Sequence, residues 1–593
     1  MKQTTKLRWR RKFRRSQQQV ENLTISAERG IEDNFFKRIG RLGDVRRFVF
    51  GWILLLVFLG LGVFMQTRAL SPYYETRQPV DGGIYTEGIV GSFTTANPLY
   101  ATSAVDSSVS RLVFSGLMKH NSQNQLVGDL AQDIKSNDRN SIYTVTLRQD
   151  ARWHDGEPVV PEDIIFTYDV IQDPDAKSPL SATWKNIEVT KKDDRTVEFR
   201  LPHSLGSFPN LLTNGIVPAH ILKRVPSSQL RNVEFNTTEP VGSGPFVWDS
   251  IQISGQTAAT REDQIGLSRN PRYHGGAPRI DTFIIKAIRD QQNMISQFKD
   301  QQIDAMLGLD KIPSELEGND AVKEYEAPLN AEVMVFFKNS NDVLKDAKVR
   351  QALTRATNQA EIIAGIGYPV IPVQGPLLRD HLGFSQKLTQ LSYNEEEANK
   401  LLESAGWLRG QDGMRSKKGV PLTFRLYSRN NTEYAYVSQV LQRQWRNVGV
   451  DVKVNLQEDT ELQPTIALHN YDALLYGITV GNDPDVYAYW HSSQADIRSS
   501  SRLNLSEFKS KVADAGLEGG RTRADANLRA TKYIPFLKEW RNQAPAVGLY
   551  QPRFLYVSRG VVYGFNPTTL NTAIDRYANV QNWQVRTDLV PIQ

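Results

Sequence analysis

The chain has 593 residues, 40% hydrophobic and 23% charged. That is the composition of a folded protein long enough for more than one core, and it excludes disorder as the main state. It contains no cysteine, which excludes disulfides, thiolate metal sites, cysteine nucleophiles, iron–sulfur clusters and attachment through a lipidated cysteine. The net charge of +6 is local: residues 1–47 carry 14 Lys or Arg against 5 Asp or Glu. The remainder is mildly acidic and offers no basic groove for nucleic acid.

In chain order, the first feature is the basic arm, with RWRRKFRR at Arg8–Arg15. Ile31, Phe35, Ile39 and Leu42 follow at helical spacing, with Lys37, Arg38 and Arg41 between them. This stretch reads either as a helix lying on the inner leaflet or as a solvated positive flank. Phe48–Met65 (FVFGWILLLVFLGLGVFM) then runs 18 residues without a charge. As a helix it spans about 27 Å, enough for a bilayer core. Arg46 and Arg47 precede it, and an excess of Lys and Arg stays in the cytoplasm, so the chain after Met65 is expected outside. The rival reading is a cleaved signal peptide. Its apolar region would be about 7–15 residues behind a short charged start, with small residues at the cleavage site. Gln66-Thr67-Arg68-Ala69 lacks them at both determining positions. The expectation is a single-pass anchor: cytoplasmic arm 1–47, span 48–65 and a linker 66–80 containing Pro72 and Pro79.

Beyond the linker, strand-like and helix-like pieces alternate without repeats. Ser141–Leu147 (SIYTVTL) and Thr196–Leu201 (TVEFRL) alternate and are rich in β-branched and aromatic residues, so both read as strands. Pro161 opens a helix, with acids in its first turn. Val333–Phe337 and Leu422–Leu426 read as buried strands. Val349, Ala352, Leu353, Ala356, Ile362 and Ile363 fit one helix from about Ala347. Asn394 is placed to cap EEEANKLLES, with Glu397 at the capping-box position and Gly406 as the stop. This mixture is that of a large α/β protein with two lobes.

The chain carries no recognisable catalytic signature. No two of the eight histidines stand at i, i+3 or i, i+4, which excludes a helix-borne zinc site of the HExxH kind. There is no phosphate loop, no GxGxxG after a strand and no nucleophile elbow; Gly242-Ser243-Gly244-Pro245 does not continue into a helix. The expectation is a binding protein with no catalytic residues, metal or cofactor, rather than an enzyme.

Several segments, in order, resemble the peptide/nickel-type (dipeptide- and oligopeptide-binding) family of ABC-transporter solute-binding proteins. They are Gly82-Gly83-Ile84-Tyr85 with Asn97-Pro98, Phe114–Met118, and Tyr143–Arg148 before Trp153-His154-Asp155-Gly156-Glu157-Pro158. Then come Pro161–Phe166, Pro240–Phe246, Asn270–Tyr273 with Gly276–Asp281, Lys345–Leu353 and Tyr393–Gly406. The likeness covers about residues 80–570. It implies a two-lobed periplasmic-binding-protein-like α/β fold with an extra subdomain in the first lobe, here preceded by one transmembrane helix. Lobe I would be 81–328, lobe II 329–543, and 544–593 would return to lobe I. It also implies hinge closure over a ligand and delivery to permease subunits, by a monomer with no nucleic-acid partner.

The resemblance further implies an extended peptide paired with backbone from both lobes. By position these segments are Thr102, Ser103 and Ala104, and Gly477, Ile478 and Thr479. The family's aspartate for the peptide amino terminus falls on Val480, which cannot neutralise an ammonium, and burying one unpaired costs several kcal/mol, in order of magnitude about that of a broken buried pair. Asp483 or Asp485 either substitutes for it or shapes the Asp-Pro turn. Tyr487, Trp490 and Tyr550 are candidate cleft aromatics or core residues. The expected function is a membrane-anchored, extracytoplasmic peptide-binding importer subunit. The alternatives are an oligosaccharide or other polar solute on the same fold, or a sensor signalling through the cytoplasmic arm.

Overall fold

The computed structural model describes residues 46–257, 260–309, 311–499, 502–523 and 525–591. The Arg8–Arg15 cluster and the Ile31–Leu42 pattern lie outside these residues. The chain divides into two units, one of Met1–Gln78 with Thr587–Gln593 and one of Pro79–Arg586.

In the first unit, helix Arg46–Tyr74 leads directly into strand Glu75–Val80, which pairs with strand Arg586–Pro591. Phe48–Ala69 is long and apolar enough to cross a membrane, and none of that stretch is buried. The segment expected as a linker is regular instead. Polar Gln66, Thr67 and Arg68 end the apolar run, but polarity does not end a helix; the Thr67 hydroxyl donates to Phe64 O at 2.9 Å.

The second unit is built on two sheets. The first has seven strands in the order Val322–Pro328, Arg553–Arg559, Ala305–Leu307, Ile84–Val90, Thr282–Ile288, Glu262–Arg269, Phe246–Ser254. The second has six: Ile371–Pro372, Ala546–Gln551, Ala331–Phe337, Ala473–Thr479, Thr423–Arg429, Asp451–Gln457. Ala331–Phe337 is buried at every position, as a continuous apolar run in a covered sheet should be. The chain passes from the first sheet to the second through Leu329 and Asn330, and back through Pro552. These crossings lie side by side: Leu329 N–H donates to Pro552 O at 3.0 Å, and Gln551 Nε2 donates to Leu329 O at 3.2 Å. Ala546–Gln551 therefore still belongs to the second sheet.

A four-stranded antiparallel sheet (Ala131–Ser136, Ile142–Leu147, Thr196–Arg200, Glu188–Asp193) is added to the first lobe and shares its core. It contains both strands read from alternation. Helix Pro161–Gln172 covers it through Tyr168, whose ring stacks on Trp184 at 3.8 Å and meets Phe199 edge-on. Asn394 caps Glu395–Ser404 by accepting from Glu397 N–H, and Gly406 follows at φ +85°. The single helix expected from Ala347 to Ile363 is two, Ala347–Ala356 and Gln359–Ile366. Asn358 accepts from Glu361 N–H and so starts the second.

The Gly-rich segment at 242–244 is a packing junction. A Cβ on Gly242 would lie 1.9 Å from Val113 O, and one on Gly244 2.6 Å from Val113 C. Only glycine lets these backbones approach. His154 closes the junction, accepting from Gly242 N–H at Nδ1 (3.2 Å) and bonding Gly244 O through Nε2 (3.1 Å). Burial pushes its imidazole down to about 4. Asp163 ties the next layer, accepting from Val160 N–H, Ala219 N–H and Trp153 Nε1.

Candidate ligand cleft

Two polar loops face each other where the lobes meet, and they enclose a cavity of about 530 Å³. The first lobe supplies His120, Leu205, Ser207 and Asn210; the second supplies Val480–Asp483, Asp485, Tyr487 and Arg521. The loops touch directly. Ser207 Oγ donates to Asp485 Oδ2 at 2.9 Å, Gly206 N–H to Arg521 O at 2.8 Å, and Asn482 Nδ2 to Asn124 O at 2.9 Å. A Cβ on Gly206 would sit 2.9 Å from Arg523 O, so the lobes close on a glycine.

The cleft loop is also fastened to the crossing strand. Asn330 O accepts from both Val480 N–H (2.9 Å) and Gly481 N–H (3.1 Å). Asn330 Nδ2 donates to Asn571 Oδ1, and Asn571 Nδ2 to Asn124 Oδ1. Asn124 has φ +58°, a conformation asparagine tolerates better than most residues.

The expected site residues separate into groups. Strand Ala473–Thr479 pairs with Ala331–Phe337 along its length, but with Thr423–Arg429 only through Ala473, Leu474 and Leu475. Val480 N–H points to Asn330, so the alternation of the strand turns the backbones of Gly477 and Thr479 to the opposite edge. Among the described residues no strand pairs them there. Thr479 O accepts from Tyr489 Oη at 2.6 Å; Ile478 faces Glu332 across the ladder and is buried. On the other lobe, Thr102–Ala104 is not an extended edge. Ser103 caps helix Ala104–Val113, its Oγ accepting from Asp106 N–H at 3.0 Å and its carbonyl from Ser107 N–H. Capping residues compete well with extended structure here because the helix N-terminus needs acceptors.

Asp483 lines the cavity, but both its oxygens are taken by Arg529, at 3.0 and 2.8 Å. Burial pulls the Arg529 guanidinium down, and the Asp483 pair outweighs it and holds the group above its usual range. Asp483 also accepts from Asp485 N–H across the Asp-Pro turn. Asp485 is held between Ser207 and Arg521, the latter at 3.2 Å. Val480 lines the cavity with no charge to offer. Tyr487 lies at the cavity between the Arg521 guanidinium and the His491 ring, each 4.0 Å from its centroid. Trp490 and Tyr550 are not at the cleft. Trp490 is fully buried between Phe336 and Trp540, and Tyr550 is buried with its hydroxyl donating to Glu433 at 2.6 Å. Trp490 is the last residue of the short helix Tyr487–Trp490, and Tyr550 lies in strand Ala546–Gln551, which is buried at every position; both rings are used as core. The partners Ser207, Asn210, Arg521, Arg529 and Asn571 carry no local sequence signal; only the three-dimensional fold brings them to the cleft.

Two α/β lobes, joined by two side-by-side strands around a polar cleft, define a two-lobed periplasmic binding protein. Solved structures have the same arrangement. The oligopeptide-binding protein AppA from Bacillus subtilis in complex with a nonapeptide superposes with a TM-score of 0.70 at 26% identity, covering 86% of this chain and 100% of that one. NikZ from Campylobacter jejuni in complex with Ni(L-His) gives 0.72 at 23% identity, covering 85% and 99%. In sequence, the oligopeptide-binding protein AppA of Bacillus subtilis (strain 168) is 28% identical over 513 residues, 84% of this chain and 92% of the relative. The model of bacterial extracellular solute-binding proteins, family 5 Middle, matches residues 125–499, and the chain belongs to that family, the peptide/nickel-type solute-binding proteins of ABC import.

Proposed function

We propose that this protein is a membrane-anchored, extracytoplasmic subunit of an ABC importer, and that it encloses peptides between its lobes and hands them, as a monomer, to permease subunits. The observation that carries the peptide reading is the end of strand Ala473–Thr479, which has no strand partner on one side beyond Leu475 among the described residues and leads into the loop that lines the inter-lobe cavity; Thr479 O already accepts from Tyr489 Oη, so Gly477 is the backbone open to pairing there. An extended peptide adds to such an edge through main-chain hydrogen bonds, which tolerates many side chains. Hydrogen bonds between the lobes at Ser207 and Asn482 support a reading in which ligand contacts from both lobes favour closure. The apolar helix Phe48–Ala69 behind a strongly basic arm supports the anchor, with the arm inside and the body outside.

The test uses the full chain in detergent micelles against a broad peptide library. A peptide at about 100 times its Kd should stabilise the fold by about 2.7 kcal/mol. If no peptide raises the unfolding temperature, the peptide assignment falls. For the anchor, protease added to intact cells should digest the body and spare an epitope in the arm. Digestion of neither, or release of the body by alkaline carbonate, contradicts it.

A second reading, a non-peptide polar solute, is favoured by Val480 and by the pairing of Asp483 and Asp485 with arginines, which leaves neither of these two carboxylates free for a peptide ammonium. Stabilisation by members of a glycan panel and by no peptide would select it.

A further inference from the structure

His120 and Asn571 line the cleft cavity and also a second cavity of about 270 Å³ inside the first lobe. The charges of the main cleft are matched: Asp483 with Arg529, Asp485 with Arg521. The second cavity is different. Arg111 lines it from the last turn of helix Ala104–Val113. That position suits a positive charge at the helix dipole, yet the guanidinium makes no hydrogen bond or ion pair among the described residues. His120 Nε2 is buried and makes no hydrogen bond of ordinary geometry; the Asn210 side chain is the polar group that interacts with the ring. Its Nδ1 stands 4.0 Å from Asp575 Oδ1, beyond hydrogen-bond reach. Asp575 is the acid facing this cavity, and its other oxygen already accepts from Asn571 N–H and Thr572 N–H. The Arg111 guanidinium and His120 Nε2 thus line a chamber that adjoins the cleft without a protein hydrogen-bond partner of ordinary geometry among the described residues.

We propose that this second cavity is a subsite for a ligand carboxylate, bound by the Arg111 guanidinium and by His120 Nε2. The inference rests on reading the cleft as a peptide site and names the ligand group it selects. A guanidinium recognises a carboxylate through two parallel hydrogen bonds. A neutral group in the same place leaves the Arg111 charge without a counter-charge, and so binds more weakly. The carboxylate comes from the peptide carboxy terminus or from a Glu or Asp side chain.

The experiment measures binding of three peptides of one backbone sequence to the full chain in detergent, by calorimetry. One has a free carboxy terminus and no acidic side chain, one a terminal amide and one glutamate, and one a terminal amide and no acid. The wild type should bind at least one acid-bearing peptide about tenfold or more tighter than the neutral one, the scale of a lost charge-assisted pair. The favoured peptide tells terminus from side chain. Arg111→Gln should bring that ratio to about one, chiefly by weakening the acid-bearing peptide, and Arg111→Lys should fall between, since it keeps charge and loses the fork. His120→Asn should reduce the ratio less. If Arg111→Gln fails to fold by thermal melt, the Arg111→Lys and His120→Asn ratios decide. Equal wild-type binding of all three peptides, or a ratio that survives these substitutions, overturns the subsite. Binding of none to the wild type overturns the peptide reading and takes this inference with it.

Discussion

The junction at His154, Gly242 and Gly244 and the cleft loop at Val480–Tyr487 are both polar, but they are built in opposite ways. The junction lies within one lobe and is closely packed: each ring nitrogen of His154 has a backbone partner and a Cβ on either glycine would meet Val113. The cleft loop pairs its charges with Arg529 and Arg521, reaches across to Ser207 and Asn124, and still borders open volume. Polar residues fixed by contact within a lobe hold that lobe's fold, whereas Ser207 and Asn482 join one lobe to the other.

Substitutions separate the two. Gly242→Ala should do most damage, because its methyl group has no place beside Val113 O; a loss of about 3 kcal/mol or more is expected in denaturant unfolding. Next comes the pH response of His154. Its folded value is about 4 against an ordinary 6.5, so the unfolded chain takes up a proton first as pH falls. Stability should drop by about 3 kcal/mol between pH 6.5 and 4 from this group. Urea midpoints across that range should flatten in His154→Gln, which is weaker at neutral pH.

Asp483→Asn leaves Arg529 without its counter-charge and should cost about 2 kcal/mol of stability, with the preference for free over acetylated peptide amino termini unchanged. Lost preference at full stability would instead make Asp483 a ligand carboxylate. The smallest effect is expected for Ser207→Ala: one inter-lobe hydrogen bond, about 1 kcal/mol, or about fivefold weaker ligand binding at an unaltered unfolding midpoint.

The same contrast explains what the sequence made legible. Local rules located Ile142–Leu147, Pro161–Gln172 and the capped helix Glu395–Ser404, because alternation, Pro at a helix start and an Asn cap act within a few residues. The segments that carried the family likeness, Trp153–Pro158 and Pro240–Phe246, are junction residues; they identified the fold because packing constrains them. The cleft was only half legible. Gly477 and Thr479 came from the family likeness, which put them on strand Ala473–Thr479; no local pattern marks them as a ligand edge. The roles of Asp483 and Asp485 could not be placed, since Arg529, Arg521 and Ser207 lie tens to hundreds of residues away. Trp490 and Tyr550 went inward because aromatic residues carry no mark that separates rim from core.

The regular structure between Gln66 and Val80 sets the length of a leash. Nine helical residues, Gln66–Tyr74, rise about 13 Å in total, and six strand residues, Glu75–Val80, about 20 Å. Fifteen irregular residues could extend to about 50 Å. On the anchored reading proposed above, a body on the shorter tether would search a thin layer above the membrane for its permease, which would raise the effective concentration of one for the other without any new contact.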